Sequence, residues 1–558
     1  MQTVDESADF IIVGSGGGAL CAALYLASHN KKVVVLEKSA YVGGTTARSG
    51  GVMWIPNNCF LKRDGIPDSF EKAAQYLDNL CDEFEPVPGA SQIRRHTYIR
   101  QAPEMIEYLL AQGIALDRAK HWPDYYDERP GGLSCGRSVV AAPFNINSLG
   151  EWKKRMRPGF LEMPVSLEEA LILPYFKRSP ASRKLMLKVV WRVALALLSG
   201  KRYASAGKAL QGRMLQAALA AGADIRLESP VSKLVVEDGQ VKGVVTENGG
   251  KERRINATLG VLVGAGGFAH NKQMREQYQP GTSPRWSSAL PEDSGEMIQE
   301  MARHGAALAQ MNEMVGNQCV LPPGSSEGEI QFGAQAITAK PHAILVDQTG
   351  QRYMNEGGSY MAYCKAMLAH NQTTPAVPSW AIFDSQFMAK YMLAGTMPGK
   401  KKPADWFESG FLKQADSLAE LAGLINVEPA ALTSTVKRFN GFAQTGKDED
   451  FQRGERAYDK WLGDALSAES PSLGEINRAP FYAVAVYPGD VGTYGGVVTD
   501  EYARVLTESG AVIKGLYATG VSTASVMGGA YPGAGASVGP SFTWGYVAAK
   551  HVLSSSAE

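Results

Sequence analysis

The sequence predicts an α/β fold: a Rossmann-like parallel sheet with helices, interrupted by an inserted α+β domain. Three observations predict it. Residues 9–39, DFIIVGSGGGALCAALYLASHNKKVVVLEKS, read strand, glycine turn, helix, strand. ATLGVLVGAGGFAHN (257–271) is a second apolar strand entering a glycine turn, and GLYATG (515–520) is a third. Between them, after about residue 281, the chain becomes irregular and stays so to about 466–476. With 558 residues the chain has room for more than one domain. The expected division is 1–281, 282–479 and 480–558, with the first and last segments forming one domain around the middle one.

Taken in order, residues 10–13 form a continuous apolar run, as in a strand buried on both faces. The turn after it carries Gly14, Gly16, Gly17, Gly18 and Ala19. Gly14 allows the tight turn, Gly16 lets backbone approach a pyrophosphate, and Ala19 lets the helix pack close on the strand. The pyrophosphate would lie at the helix N-terminus, where N–H groups and the helix dipole favour an anion. Glu37 ends the next strand, VVVLE, where an acid hydrogen-bonds ribose hydroxyls. A second loop, KSAYVGGTTARSGGVMWIPNN (38–58), follows directly and suits a longer cofactor. Lys38, Gly44, Thr45, Thr46, Ser49, Gly50 and Gly51 are its candidate contacts.

This loop resembles the glycine-pair motif of FAD-dependent oxidoreductases of the fumarate reductase and succinate dehydrogenase type. The resemblance implies that the interrupted domain binds FAD and that the insert faces the flavin as a catalytic domain. It also implies that Ala265, Gly266 and Gly520 lie on the cofactor. LQAALAAGADIRLESPVSKLVVEDGQVKGVV (215–245) reads helix, strand, then a hairpin turning at Glu237-Asp238-Gly239. The backbone of Val231 is the expected adenine contact.

Composition excludes several classes. Apolar residues make up 45 % and charged residues 20 %, as in a globular protein. Lys plus Arg and Asp plus Glu each number 56, so nothing points to nucleic acid. The six cysteines show no CxxC and the eight histidines no HxxxH, so no metal site is expected. The opening MQTVDESADF is polar and acidic, unlike a signal peptide, and no run of 18 apolar residues occurs. The expected location is the cytoplasm.

One segment qualifies that location. Within the insert at about 164–205, the short apolar run Val189 to Leu198 is mixed with Lys177, Arg178, Arg183, Lys184, Lys188, Arg192, Lys201 and Arg202. A basic amphipathic helix of this kind can lie on an anionic lipid surface. Two readings stay open: residues 177–202 contact the inner face of the cell membrane, or they form an ordinary helix packed on the core.

Three tyrosine-bearing segments bear on the chemistry: HWPDYYDERPGG (121–132), GQRYMNEGGSY (350–360) and AYPGAG (530–535). With ARSGG-x-x-WIPNN (47–58), PGD-x-GT (488–493) and the tract GGAYPGAGASVGPSFTWGY (528–546), they resemble the FAD-dependent 3-ketosteroid Δ1-dehydrogenases. The resemblance spans most of the chain and weakens between about 150 and 205. It implies that Tyr531 and the backbone N–H of Gly535 donate to the C3 carbonyl, that Tyr360 removes the C2 proton, and that Tyr125 supports Tyr360. Tyr126 competes with Tyr125, and Tyr363 with Tyr360. Two donors on one carbonyl form an oxyanion hole for the enolate. A phenol of pKa about 10 becomes a base only if its phenolate is stabilised, which a neighbouring hydroxyl does. Ala536 and Val538 would then open a helix whose positive end faces the flavin.

The family departs from this sequence at two places: Ser359 stands where Pro is frequent, and Tyr494 where some members carry Lys or Ser. The expected activity is 1,2-dehydrogenation of a 3-ketosteroid, with electrons passing to a quinone or protein. The alternatives are a 4,5-dehydrogenase of 5α-steroids, another cyclic-ketone dehydrogenase, a fumarate-type reductase or a flavin-binding protein without turnover. A fumarate-type site needs convergent cations, for which Arg303, His304 and Arg352 are the candidates.

Overall fold

A computed structural model describes residues 6–81, 87–248 and 250–555. The first five residues of the opening decapeptide lie outside them. An eight-stranded sheet anchors the molecule. Its strands are β1 (Glu6–Val13), β2 (Val33–Leu36), β3 (Asp224–Arg226), β4 (Val231–Glu237), β5 (Gln240–Asn248), β6 (Lys251–Val263), β7 (Arg504–Leu506) and β8 (Val512–Ala518). The order is β7-β8-β5-β6-β1-β2-β3, with β4 hydrogen-bonded to β5. Strand β1 runs parallel to β2 and β6, and β2 parallel to β3. The first half of β6 pairs antiparallel with β5, and its last three residues run parallel to β8. The hairpin of β4 and β5 turns where expected, with Asp238 at φ 50° and Gly239 at φ 72°.

The three glycine turns read from the sequence follow β1, β6 and β8 at one edge, where parallel strands end and ligands bind. Helix α1 (Gly17–Ser28) leaves the first turn, and α2 (Val538–Ser555) closes the chain against it. Their approach is set by small residues. A Cβ on Gly17 would enter the Phe542 ring, one on Gly18 would overlap the Ser541 carbonyl, and one on Gly545 would overlap the Gly18 carbonyl.

The insert has its own four-stranded antiparallel sheet, in the order Ala343–Val346, Ser379–Asp384, Phe481–Val486, Lys413–Ala415. One apolar cluster covers each face, with Tyr363, Phe383 and Phe387 in one and Leu421, Leu432 and Phe439 in the other. Phe481–Val486 pairs with Ser379–Asp384 along its whole length, although it lies past residue 480. We propose the division into three segments with the insert carried through Val486, because that strand's partners all belong to the insert.

Residues 180–198 form the helix Pro180–Leu198, of which only Ser182, Val189 and Ala196 are buried. Leu187 is 72 % and Leu198 85 % exposed, and Val190, Trp191, Leu195 and Leu197 are exposed beside them. The helix therefore docks by a narrow stripe and leaves most of its apolar surface uncovered. Arg192 pairs with Glu169 at 2.7 Å, and Arg178 reaches Asp464 at 2.7 Å. No helix among the described residues is long and apolar enough to cross a membrane.

Because α1 and α2 meet backbone to backbone, Gly545→Ala should destabilise the protein by about 1–3 kcal/mol through overpacking. Thermal unfolding of the variant checks this; an unchanged midpoint would mean that the helices can separate without cost.

Candidate active site

The N-terminus of α1 opens into a cavity of about 400 Å³. Gly14, Gly16, Gly17, Gly18, Ala19, Glu37, Lys38, Gly44, Thr45, Thr46, Val231, Ala265, Gly266 and Gly520 all line it. So do Ser15, Asp293 and Ser541, which sequence reasoning missed. The lining suits FAD. Gly16 at the N-cap of α1 has no side chain to cap the first turn; the Gly18 N–H donates to the Ser541 hydroxyl at 3.2 Å, and the neighbouring N–H groups can turn to phosphate oxygens. Space is left at Gly16, where a Cβ would come no nearer than 3.9 Å to any neighbour. Glu37 sits at one end, accepting the Ser15 N–H at 3.0 Å and the Ser39 N–H at 2.9 Å. Burial pushes the Glu37 carboxyl above its usual range, although the Ser15 hydroxyl and the N–H donors oppose this. Lys38 turns to Glu296 at 2.9 Å. Asp293 is buried, accepts the Thr45 hydroxyl at 3.0 Å and is pushed up to about 7 by desolvation.

The remaining expected contacts lie elsewhere. The Ser49 carbonyl accepts the Gly207 N–H at 3.0 Å, and a Cβ on Gly51 would overlap Gly207. Ser49 and Gly51 brace the loop against Gly207, and with Gly50 they lie outside the lining of that cavity. Ala536 borders a small pocket that shares Gly520, Val521 and Ser541 with the large one. Val538 begins α2 beside it.

The tyrosines converge. Ring centroids are 5.1 Å apart for Tyr360 and Tyr531, 5.2 Å for Tyr125 and Tyr360, and 5.9 Å for Tyr125 and Tyr531. Both other phenols lie beside Tyr360 and help to hold it neutral. The Tyr531 oxygen meets the Ser537 hydroxyl at 3.0 Å, and the backbone of Gly535 and Ser537 lies close enough to hold its phenol down against burial. A phenol and the Gly535 N–H therefore face one small volume. Gly535 has φ 92°, and a Cβ there would overlap the Val52 carbonyl, so no other residue fits. Burial pushes the Tyr360 phenol well above its usual value and raises those of Tyr125 and Tyr531 as well.

The competing assignments separate. Tyr363 points into the apolar core of the insert, with its hydroxyl 3.3 Å from that of Thr338. Tyr126 is half-buried, and its N–H donates to the Tyr76 hydroxyl at 3.3 Å. The three candidate cations for a dicarboxylate are committed elsewhere. Arg303 and His304 pair with Glu300, and Arg352 lies between Glu356 and Asp448.

A knot of backbone and charge holds the tyrosines in place. The Tyr125 N–H and the Tyr76 hydroxyl both donate to the Pro532 carbonyl, at 2.9 and 2.7 Å. Asp124 accepts the Trp54 indole N–H at 2.7 Å and pairs with Arg137 at 2.7 Å. Arg137 also pairs with Asp68 at 2.7 Å, and all three side chains are buried. Burial alone would pull Arg137 down, but the two carboxylates outweigh it and keep the guanidinium charged.

The FAD binding domain family matches residues 9–538. A 3-oxosteroid 1-dehydrogenase of Mycolicibacterium smegmatis is 38 % identical over 98 % of this chain and 98 % of its own. The chain belongs to the 3-ketosteroid Δ1-dehydrogenase family. Another relative, a 4-oxocyclohexanecarboxylate 2-dehydrogenase of Sinomonas cyclohexanicum, is 32 % identical over 98 % of this chain and 93 % of its own. Among solved structures, the 3-ketosteroid Δ1-dehydrogenase of Sterolibacterium denitrificans, in complex with 1,4-androstadiene-3,17-dione, is 34 % identical with a TM-score of 0.92. That match covers 99 % of this chain and all of the other. FAD is accordingly the cofactor of this family member, and the cavity at α1 has the lining to hold it.

Arg137→Met should cost about 3–5 kcal/mol, since it strands two buried carboxylates. Denaturant unfolding measures this. A change under about 1 kcal/mol would show that water reaches the knot.

Proposed function

We propose that the protein introduces the 1,2-double bond into 3-ketosteroids. The observation that carries this reading is the meeting of the Tyr531 phenol and the Gly535 N–H beside the Tyr360 phenol. The substrate carbonyl enters between Tyr531 and Gly535, beside the Ser537 hydroxyl that meets Tyr531 at 3.0 Å. Both then donate to the oxygen and strengthen as negative charge develops there. Tyr360 takes the C2 proton. Tyr125 donates to Tyr360 and so favours its charged form. Bound FAD supplies the acceptor for the C1 hydride. The four aromatic rings of Tyr125, Tyr360, Tyr494 and Tyr531 exclude water from a planar apolar ketone. Tyr494, one of the departures from the family pattern, packs 5.8 Å from Tyr531 and donates to the Ala536 carbonyl at 3.0 Å.

The Sinomonas relative favours a second reading, in which the ketone is a smaller ring. The donors and base would serve either substrate, and product identification separates them. Tyr360→Phe should lower kcat with androst-4-ene-3,17-dione by about 10²–10⁴-fold while the flavin stays bound. Assay with an artificial electron acceptor measures this, and near-wild-type turnover would place the base elsewhere.

A separate acceptor, quinone or protein, takes up the electrons. We read the exposed apolar side of Pro180–Leu198, with Arg183, Lys184 and Lys188 upon it, as a surface that rests on anionic lipid at the inner face of the cell membrane. Such a surface favours a quinone dissolved in the same membrane. The wild-type protein should sediment with vesicles of anionic phospholipid, and a variant carrying Leu187→Glu, Trp191→Glu and Leu198→Glu should not. A wild type that stays in the supernatant contradicts this reading.

A further inference from the structure

We propose that Lys365 is a positioning residue that sets the base, Tyr360, against the donors to the substrate carbonyl. This rests on the dehydrogenase reading above. That reading asks groups from distant stretches of chain to act on one ring at once. Tyr360 opens the helix Tyr360–His370, whereas Tyr531 and Gly535 lie in the C-terminal tract. The base must meet the C2 proton while the donors hold the carbonyl oxygen, and a misplacement of about 1 Å can cost about a hundredfold in rate. The helix and the tract therefore need a fixed separation.

Lys365 ties one to the other. It lies on the helix of Tyr360, and its ammonium donates to the Gly529 carbonyl at 3.0 Å. Gly529 is buried and stands two residues before Tyr531. The same ammonium pairs with the Glu313 carboxylate at 2.9 Å. Glu313 is anchored through its backbone: its carbonyl accepts the Tyr494 N–H at 2.9 Å and the Gln279 side-chain amide at 2.8 Å. Tyr494 in turn packs 5.8 Å from Tyr531. One cation thus joins the helix of the base, the tract of the donors and, through Glu313, the residue whose ring lies beside them.

The other contacts of this helix are directed elsewhere. Tyr363 and Met367 pack in the apolar core of the insert. The Cys364 thiol donates to the Gly489 carbonyl at 3.5 Å, and a Cβ on Gly316 would come within 2.7 Å of the Cys364 Cβ. These contacts hold the helix to the insert and to the paired strands Met314–Gly316 and Asp490–Thr493, not to the tract. Lys365 has the length to cross to Gly529. Its side chain is 35 % exposed and that of Glu313 13 %, so the pair is partly shielded from water. An ammonium that bonds a carboxylate and a carbonyl together makes short, directed contacts stronger than those between neutral groups.

The test uses the full-length holoenzyme with androst-4-ene-3,17-dione and an artificial electron acceptor. Lys365→Met keeps most of the side-chain length and removes the ammonium. It should lower kcat about tenfold to a hundredfold. Flavin content should not change, nor should the Kd for androsta-1,4-diene-3,17-dione, read from the flavin spectrum. The product needs only the donors of the tract, whereas turnover needs the base beside them as well. Lys365→Arg restores a cation and should recover most of the lost kcat. Wild-type kcat in Lys365→Met overturns the inference, as does a loss of kcat matched by weaker product binding. If Lys365→Met does not hold flavin, Glu313→Ala decides, since it removes one of the two bonds of the ammonium. It should lower kcat severalfold with flavin in place; an unchanged kcat or lost flavin there overturns the inference. If the wild type fails to turn over 3-ketosteroids, the dehydrogenase reading falls and this inference with it. Wild-type turnover with an unaltered Lys365→Met enzyme removes only the role of Lys365.

Discussion

The buried guanidinium of Arg137, held between Asp124 and Asp68, is the interaction on which the site depends. Taking three charges out of water is costly, and only close pairing and extra donors offset it. Here the offset comes from Trp54, Leu133 and the Asn57 N–H, which donate to the two carboxylates. The knot joins three distant stretches of chain: Trp54 from the second cofactor loop, Asp124–Tyr125 from the loop after it, and Pro532–Gly535 from the C-terminal tract. Tyr125 hangs on Pro532 through its backbone, and the Trp54 N–H donates to the Gly535 carbonyl at 3.1 Å. A shift at Arg137 would therefore move a phenol and an oxyanion donor together.

The same enclosure creates the chemical problem of the site. Burial makes the phenols harder to ionise, yet the proposed proton removal by Tyr360 needs a phenolate. The answer lies in the number of donors rather than in a cation. The Ser537 hydroxyl and the Gly535 backbone hold the Tyr531 phenol down against burial, and Tyr360 stands between Tyr125 and Tyr531, whose hydroxyls must turn toward it for it to ionise. An uncharged site of this kind suits a ketone that carries no charge of its own. Cations are present nearby, but Arg303 and Arg352 are bound to carboxylates and unavailable.

Much of the fold was legible in the sequence because its signals are local. Gly14, Gly16 and Glu37 lie within one strand–helix–strand unit, and their spacing alone carries the reading. Tyr125, Tyr360, Tyr531 and Gly535 became legible only through motif resemblance, since no local pattern separates them from other tyrosines. What stayed hidden depends on distant partners. Asp293 lines the cavity and accepts the Thr45 hydroxyl from 248 residues away. Phe481–Val486 reads as a strand, but which sheet it joins is settled by Ser379–Asp384. Gly51 also approaches Gly207, a contact the sequence does not show because glycine serves close approach of any kind.

The most direct test of this account is a crystal structure of the Tyr360→Phe holoenzyme with androst-4-ene-3,17-dione. The account predicts the C3 oxygen within hydrogen-bond distance of both the Tyr531 hydroxyl and the Gly535 N–H, with C2 facing residue 360. A steroid whose C3 oxygen meets neither donor, or whose ring A lies away from residue 360, would contradict it.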